Sequence, residues 1–332
     1  MSEETFIKWF GRGLEIQDVD PALDMSNYFF NRFEYNSEQQ LWITWIYGTT
    51  YHWPTAYVIW NEFPDMELVG VERLRDWNNS NYSRLRYQTD TKWNKGHLPD
   101  MYASYEKFIG DRTQREVIES YYGDNEKENF NNLWEVLKKE LHKFGRYSTW
   151  FYMQQLKHTA DVKIEPTSLM LNDYSGSRSH LNGFLYAIGE EDKVDSKLTS
   201  AEYDRLESIG TGILNEMRVD YPHIKKDLDY FAMETALCSF KKLFRTSRGR
   251  YLGYYLDRQA EEIMKVEKDG WHGIEWNVLW EARNETLDLT LSNKCGIIKE
   301  KYTSFLDTGK LDKLEMMYKD EVKMNIGLEA FF

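Results

Sequence analysis

The chain has 332 residues, of which 41% are hydrophobic and 16% aromatic, with a formal net charge of −13 at pH 7. This length and apolar content exclude a disordered chain and allow either one large domain or two packed lobes. The charge excludes a protein that coats nucleic acid by broad phosphate neutralisation, so any DNA contact must be local.

Met1 to Phe10 is acidic and aromatic, unlike the basic and then apolar start of a signal peptide, and no apolar run of membrane-spanning length follows. A cytoplasmic protein without a membrane segment is expected. Only six prolines interrupt the chain, and apolar residues recur at three- and four-residue spacing, so the fold class is mainly α. Residues 38–47 read as a helix with Leu41, Trp42, Trp45 and Ile46 as its stripe. Pro54 opens a second helix through Tyr57, Val58 and Ile59, and Pro64 closes it. Polar stretches at 121–132 and 189–200 read as surface connections. The first gives the expected division into a lobe at 1–130 and a lobe at 131–332.

Capping boxes are predicted at Thr113 with Glu116 and at Thr199 with Glu202. The second starts a long helix through Leu206, Ile209, Ile213 and Met217 that ends before Pro222. Further helices are expected over Phe231–Phe244, 254–268 and 273–290. The acidic run Glu190, Glu191, Asp192 and Asp195 reads as a solvated loop rather than a metal site. Cys238 and Cys295 lack CxxC spacing and nearby histidines, so neither a zinc site nor a disulfide framework is expected.

Two windows carry possible chemistry. Ser239 to Arg258 concentrates Lys241, Lys242, Arg245, Arg248, Arg250 and Arg258 in an otherwise acidic chain, with Gly249, Gly253 and three tyrosines interleaved. Planar guanidinium groups suit phosphate oxygens and tyrosines suit bases, although a basic helix end followed by a turn reads the same way. Leu171 to Gly189 gathers Asp173, Ser175, Ser177, Arg178, Ser179, His180 and Asn182 around Gly176 and Gly183. It reads as a binding loop with Asp173 as a base and Arg178 as an anion clamp, or as a turn capped by Asp and Ser. Arg146, directly after Gly145 at a helix start, marks a weaker phosphate seat. Neither GxxxxGK[ST], GxSxG nor HExxH occurs.

Four segments together resemble the phage enzymes that hypermodify thymine in DNA, the amino acid:DNA transferases or α-glutamyl/putrescinyl thymidine pyrophosphorylases. They are Gln40–Asp65 (YGTTY, NEFPD), Arg86–Gly96, Leu171–Gly189 (GSRSHLNG) and Glu234–Arg258 (RGRYLGYYLDR), with Gly273 to Arg283 as a fifth. The aromatic N-terminal helices also resemble the helical domain associated with 5-hydroxymethyluridine DNA kinases.

The resemblance implies transfer of an amino acid or polyamine onto 5-hydroxymethyluracil that a separate kinase has pyrophosphorylated in DNA, with pyrophosphate displaced. It implies a DNA-glycosylase-like helical scaffold, in which Leu141–Leu156 with Gly145 at its bend would be the hairpin, lacking the second glycine of that pattern. The expected catalytic set is Asp173 and Arg178, with Asp257 or Glu234 behind Asp173. Phosphate and DNA contacts are expected from Arg146, Lys241, Lys242, Arg248, Arg250 and Arg258, and base contacts from Tyr51, Arg86, Tyr87 and Asp90. No cofactor is demanded. Magnesium could accompany pyrophosphate on Asp90, Asp173 or Asp257. The competing readings are a non-catalytic DNA-binding partner of such a kinase, and a glycosylase or lyase on modified bases.

Overall fold

A computed structural model describes residues 3–15, 17, 19–88, 91–173, 178–244 and 255–286. Among these the regular structure is helical: α1 (Glu3–Glu15), α2 (Pro21–Arg32), α3 (Ser37–Thr50), α4 (Trp53–Glu62), α5 (Val71–Asn81), α6 (Leu98–Ile109), α7 (Gln114–Glu119), α8 (Glu126–Glu140), α9 (Arg146–Thr159), α10 (Ser179–Ala187), α11 (Ser200–Asp220), α12 (Tyr230–Phe240), α13 (Tyr255–Lys268) and α14 (Trp276–Thr286). No described helix is long and apolar enough to cross a membrane.

The helix starts follow from their caps. Both expected boxes are present: Thr113 and Thr199 accept from the amides of Glu116 and Glu202, whose carboxylates accept in return from the Thr backbones. A third box, Asn36 with Gln39, starts α3 at Ser37, one residue before the expected start at 38. Phe231–Phe244 divides into α12 and a 3-10 turn at Lys241–Phe244. The expected connection over 121–132 is shorter than its polarity indicated, because Asn125 caps α8 and the helix starts at Glu126.

The described residues form two compact units, one drawn from residues 3–21, 168–261 and 283–286, the other from 22–167 and 262–282. The expected boundary at 130/131 falls inside α8 and separates neither.

In the second unit α3 is buried from Leu41 through Thr50. Trp42 stacks on Trp45 at 5.2 Å and Trp45 on Tyr105 at 4.8 Å, which explains much of the aromatic content as core. Gly48 lets α9 approach, since a β-carbon there would meet that of Tyr152 at 2.9 Å. The chain between α8 and α9 turns at Lys143 (φ 64°), not at Gly145, which is extended and caps α9. Residues 262–282 are tied to this unit through Arg84, whose guanidinium lies 4.0 Å over the Trp271 ring, and through Gln88, whose amide donates to Glu262 at 2.8 Å.

In the first unit α1, α10, α11 and α12 enclose a core of Phe6, Phe10, Leu181, Phe184, Leu206, Ile213, Met217, Met233, Leu237 and Phe240. Phe240 receives Phe6 edge-on at 5.2 Å and Trp9 at 5.4 Å.

Candidate active site

The GSRSHLNG motif is not the loop its polarity predicts. From Ser179 it is α10, and His180, Leu181, Asn182, Gly183 and Phe184 are all buried. The reason is backbone contact between helices. A β-carbon on Gly183 would lie 2.0 Å from the carbonyl oxygen of Leu237, so only glycine lets α10 cross α12 at this point. His180 and Glu234 each lie three residues before that crossing and share its face. Their Nδ1 and Oε1 atoms are 3.7 Å apart, with 1% and 0% of the side chains exposed. Cys238, one turn after Glu234, brings its sulfur within 4.8 Å of both.

Polar side chains of α10 and of the residue before it organise the chain that follows the helix. Asn182 donates to the Asp195 carboxylate at 2.7 Å and accepts from the Asp195 amide at 3.2 Å. Arg178 donates to the carbonyls of Asp195, at 3.2 Å, and of Ser196. The acidic run is therefore partly consumed in structure: Glu190 pairs with Arg205 at 2.7 Å and Lys193 at 3.0 Å, which holds its carboxyl below the usual range. Asp173 is half-buried, with its amide donating to the Met170 carbonyl at 3.1 Å.

The turn Lys241–Phe244 packs against α10, so Lys241 and Lys242, both partly exposed, approach the same helix as Arg178. Arg258 is half-buried on α13. Arg248, Arg250 and the side chain of Asp257 lie outside the described residues, as do Ser175 and Ser177.

The expected base-binding residues belong to the second unit. Two segments of the resemblance meet there: the carbonyls that end α3 are satisfied by the chain after Arg86. Thr50 accepts from the Gln88 amide at 3.2 Å and the Thr91 hydroxyl at 2.6 Å, and Thr49 accepts from Asn94 at 2.9 Å. Tyr51 ends α3 in the left-handed region (φ 45°), where its half-buried ring tilts against Phe151 at 3.9 Å. A non-glycine residue held there costs strain that the surroundings must repay.

Tyr87 has a buried hydroxyl with no hydrogen-bond partner among the described residues, and burial pushes its pKa well above the usual phenol value. Arg86 is occupied by a two-pronged ion pair with Asp269, at 2.5 and 2.7 Å. Asp90 lies outside the described residues. Arg146 is buried, its guanidinium 5.0 Å over the Trp150 ring, which makes it a core cation rather than an exposed phosphate seat. A cavity of about 560 Å³ elsewhere in this unit is lined by Glu38, Trp42, Glu67, Tyr102 and Arg112 among others, and by none of the expected site residues.

A profile of the amino acid:DNA transferase family matches residues 16–250. The chain belongs to this family. It is a transferase of DNA modification, moving an amino acid onto modified bases. A serinyltransferase of Salmonella phage ViI is 27% identical over 294 residues, covering 82% of this chain and 71% of the relative. No solved structure matches. Sequence reasoning missed the proximity of His180 to Glu234 and Cys238, because side chains supplied by two helices distant in sequence leave no spacing signal. The signal that could have found it was Gly183 on an otherwise apolar helix face, which marks a close helix crossing.

Proposed function

We propose that the enzyme joins the amine of an amino acid to the methylene carbon on C5 of a pyrophosphorylated 5-hydroxymethyluracil in DNA. The nitrogen–carbon bond forms, the carbon–oxygen bond to pyrophosphate breaks, and the ammonium proton passes to a carboxylate. The observation that carries this reading is the α10–α12 crossing, which gathers the two most family-like windows in one unit: Arg178 just before one helix, Lys241 and Lys242 after the other. In a chain of net charge −13, that grouping of cations suits a leaving group whose negative charge grows in the transition state.

Asp173 is assigned the proton-accepting role. Glu234, with no exposed surface, offers no approach to an incoming ammonium, whereas Asp173 is only half-buried. Arg178, Lys241, Lys242 and Arg258 are assigned to pyrophosphate and adjoining phosphates. A separate DNA kinase supplies the pyrophosphorylated substrate. Magnesium, if it travels with the pyrophosphate, would meet Asp173.

The phage serinyltransferase makes serine the first nucleophile to try. The test is incubation of the purified protein with DNA carrying 5-pyrophosphorylmethyl-deoxyuridine, serine, other amino acids and polyamines, followed by nucleoside mass spectrometry. A new amine-bearing thymidine is expected. Unchanged nucleoside despite DNA binding would replace this reading with that of a non-catalytic partner module.

A further inference from the structure

His180 on α10, and Glu234 and Cys238 on α12, present an imidazole nitrogen, a carboxylate oxygen and a sulfur within 4.8 Å of one another, in a place where two of the three side chains are sealed from water. The separation of His180 Nδ1 from Glu234 Oε1, 3.7 Å, decides how the pair should be read. Hydrogen bonds from ring N–H to oxygen fall at about 2.7–3.2 Å, so these two atoms are not bonded to each other through a proton. Two ligands of one tetrahedral ion, each about 2.0–2.2 Å from it, stand roughly 3.4 Å apart. The observed gap lies outside the hydrogen-bond range and nearer the second arrangement.

The cradle is built by the helices themselves. Glu234 and Cys238 are four residues apart and so lie on one face of α12. Gly183 brings α10 to backbone contact with Leu237, between them in sequence, and thereby sets His180 opposite.

We propose that His180, Glu234 and Cys238 bind one divalent transition-metal ion, zinc by ligand type. Mixed nitrogen, oxygen and sulfur donors suit a borderline-soft ion, whereas magnesium takes oxygen ligands at octahedral corners. Three protein ligands leave a fourth tetrahedral position for a bound water. Binding releases the Cys238 thiol proton to solvent, so affinity rises with pH until the thiol of the free protein is itself ionised. The proposal does not rest on the reaction assigned above, because metal binding is read without DNA or amine.

The experiment is cobalt and zinc loading of the full chain, with bound metal measured by mass spectrometry and cobalt followed by absorption. The wild type is expected to hold one ion per chain, with a sulfur-to-cobalt charge-transfer band. Cys238→Ser should abolish that band, and His180→Ala should weaken zinc binding by about 100-fold or more. His97→Ala should change nothing, although His97 joins Asp100 and His142 in the other such cluster among the described residues, on the surface. Circular dichroism identifies any variant that fails to fold. Cys238→Ser, at a half-buried position, is the one expected to remain folded. A wild type that takes up no metal, a cobalt spectrum unaltered by Cys238→Ser, or a site lost in His97→Ala would each overturn the assignment.

Discussion

Asp173 and Arg178 flank the short stretch of GSRSHLNG that precedes α10, and their surroundings separate their roles. A half-buried carboxylate can both keep its charge and meet an ammonium, so Asp173→Asn, which preserves shape and removes only the charge, should lower kcat by about 10²–10⁴-fold. DNA affinity should hold, since no phosphate contact is lost. Single-turnover kinetics beside a DNA-binding titration checks both, and full turnover would remove Asp173 from the proton-accepting role. Arg178 has a second duty that any test must separate, because its guanidinium holds the carbonyls of Asp195 and Ser196. Arg178→Lys keeps the charge without the planar fork. It should leave DNA binding nearly intact while amide exchange quickens around Asp195, and unchanged exchange there would show that the fork does not hold the loop.

At the scale of the helix, the α10–α12 crossing is the contact on which the site depends. Gly183→Ala would drive a methyl group into the Leu237 carbonyl, 2.0 Å away, and should cost at least about 2 kcal/mol in urea unfolding. Gly212→Ala, on α11 with nothing within 4 Å of its β-carbon, should instead be neutral or stabilise by up to about 1 kcal/mol. Equal effects at the two positions would refute the crossing.

The start of α11 offers a pH test. The backbone amide of Thr199, then Lys193 and the Thr199 hydroxyl, hold the Glu202 carboxyl down at about 2, against an ordinary 4.5. A carboxyl depressed in the folded state stabilises above its ordinary value, and that contribution fades as pH falls from 4.5 through about 2. Thr199→Ala should raise the Glu202 titration midpoint in a carboxyl NMR titration, and an unmoved midpoint would mean the box is not formed. These starts were legible in the sequence because a capping box is local chemistry. So were α3 and α4, where apolar spacing and Pro54 act within one turn. The mistaken loop at GSRSHLNG arose because Ser, His and Asn are ordinarily surface residues. What buries His180 is a partner helix some fifty residues further along, and composition carries no record of that partner. The ion pair of Arg86 is hidden for the same reason, its partner Asp269 being remote in sequence.

For the whole molecule, the balance of charge limits how DNA can be held. With a net charge of −13, the general field of the protein repels a polyanion, and attraction must come from a few cations near the site. Many basic side chains are already committed elsewhere: Arg205 and Lys193 to Glu190, Arg86 to Asp269, Arg146 to a buried position over Trp150. The described members of the proposed phosphate set are Lys241, Lys242, Arg258 and Arg178, the last of which also holds the carbonyls of Asp195 and Ser196. Each phosphate neutralised contributes about 0.9 to the slope of log affinity against log salt on duplex DNA, and about 0.7 on single strands. Four contacts therefore give about −3.6 or about −2.8, and Arg248 and Arg250 would steepen either value if they join. Fluorescence anisotropy across a salt series measures this slope, and Lys241→Gln should make it shallower by about one contact while weakening all sequences alike. A slope approaching −10, the range of proteins that grip many phosphates, would place the DNA on a broad surface that this charge distribution does not supply, and would move the interface away from the α10–α12 crossing.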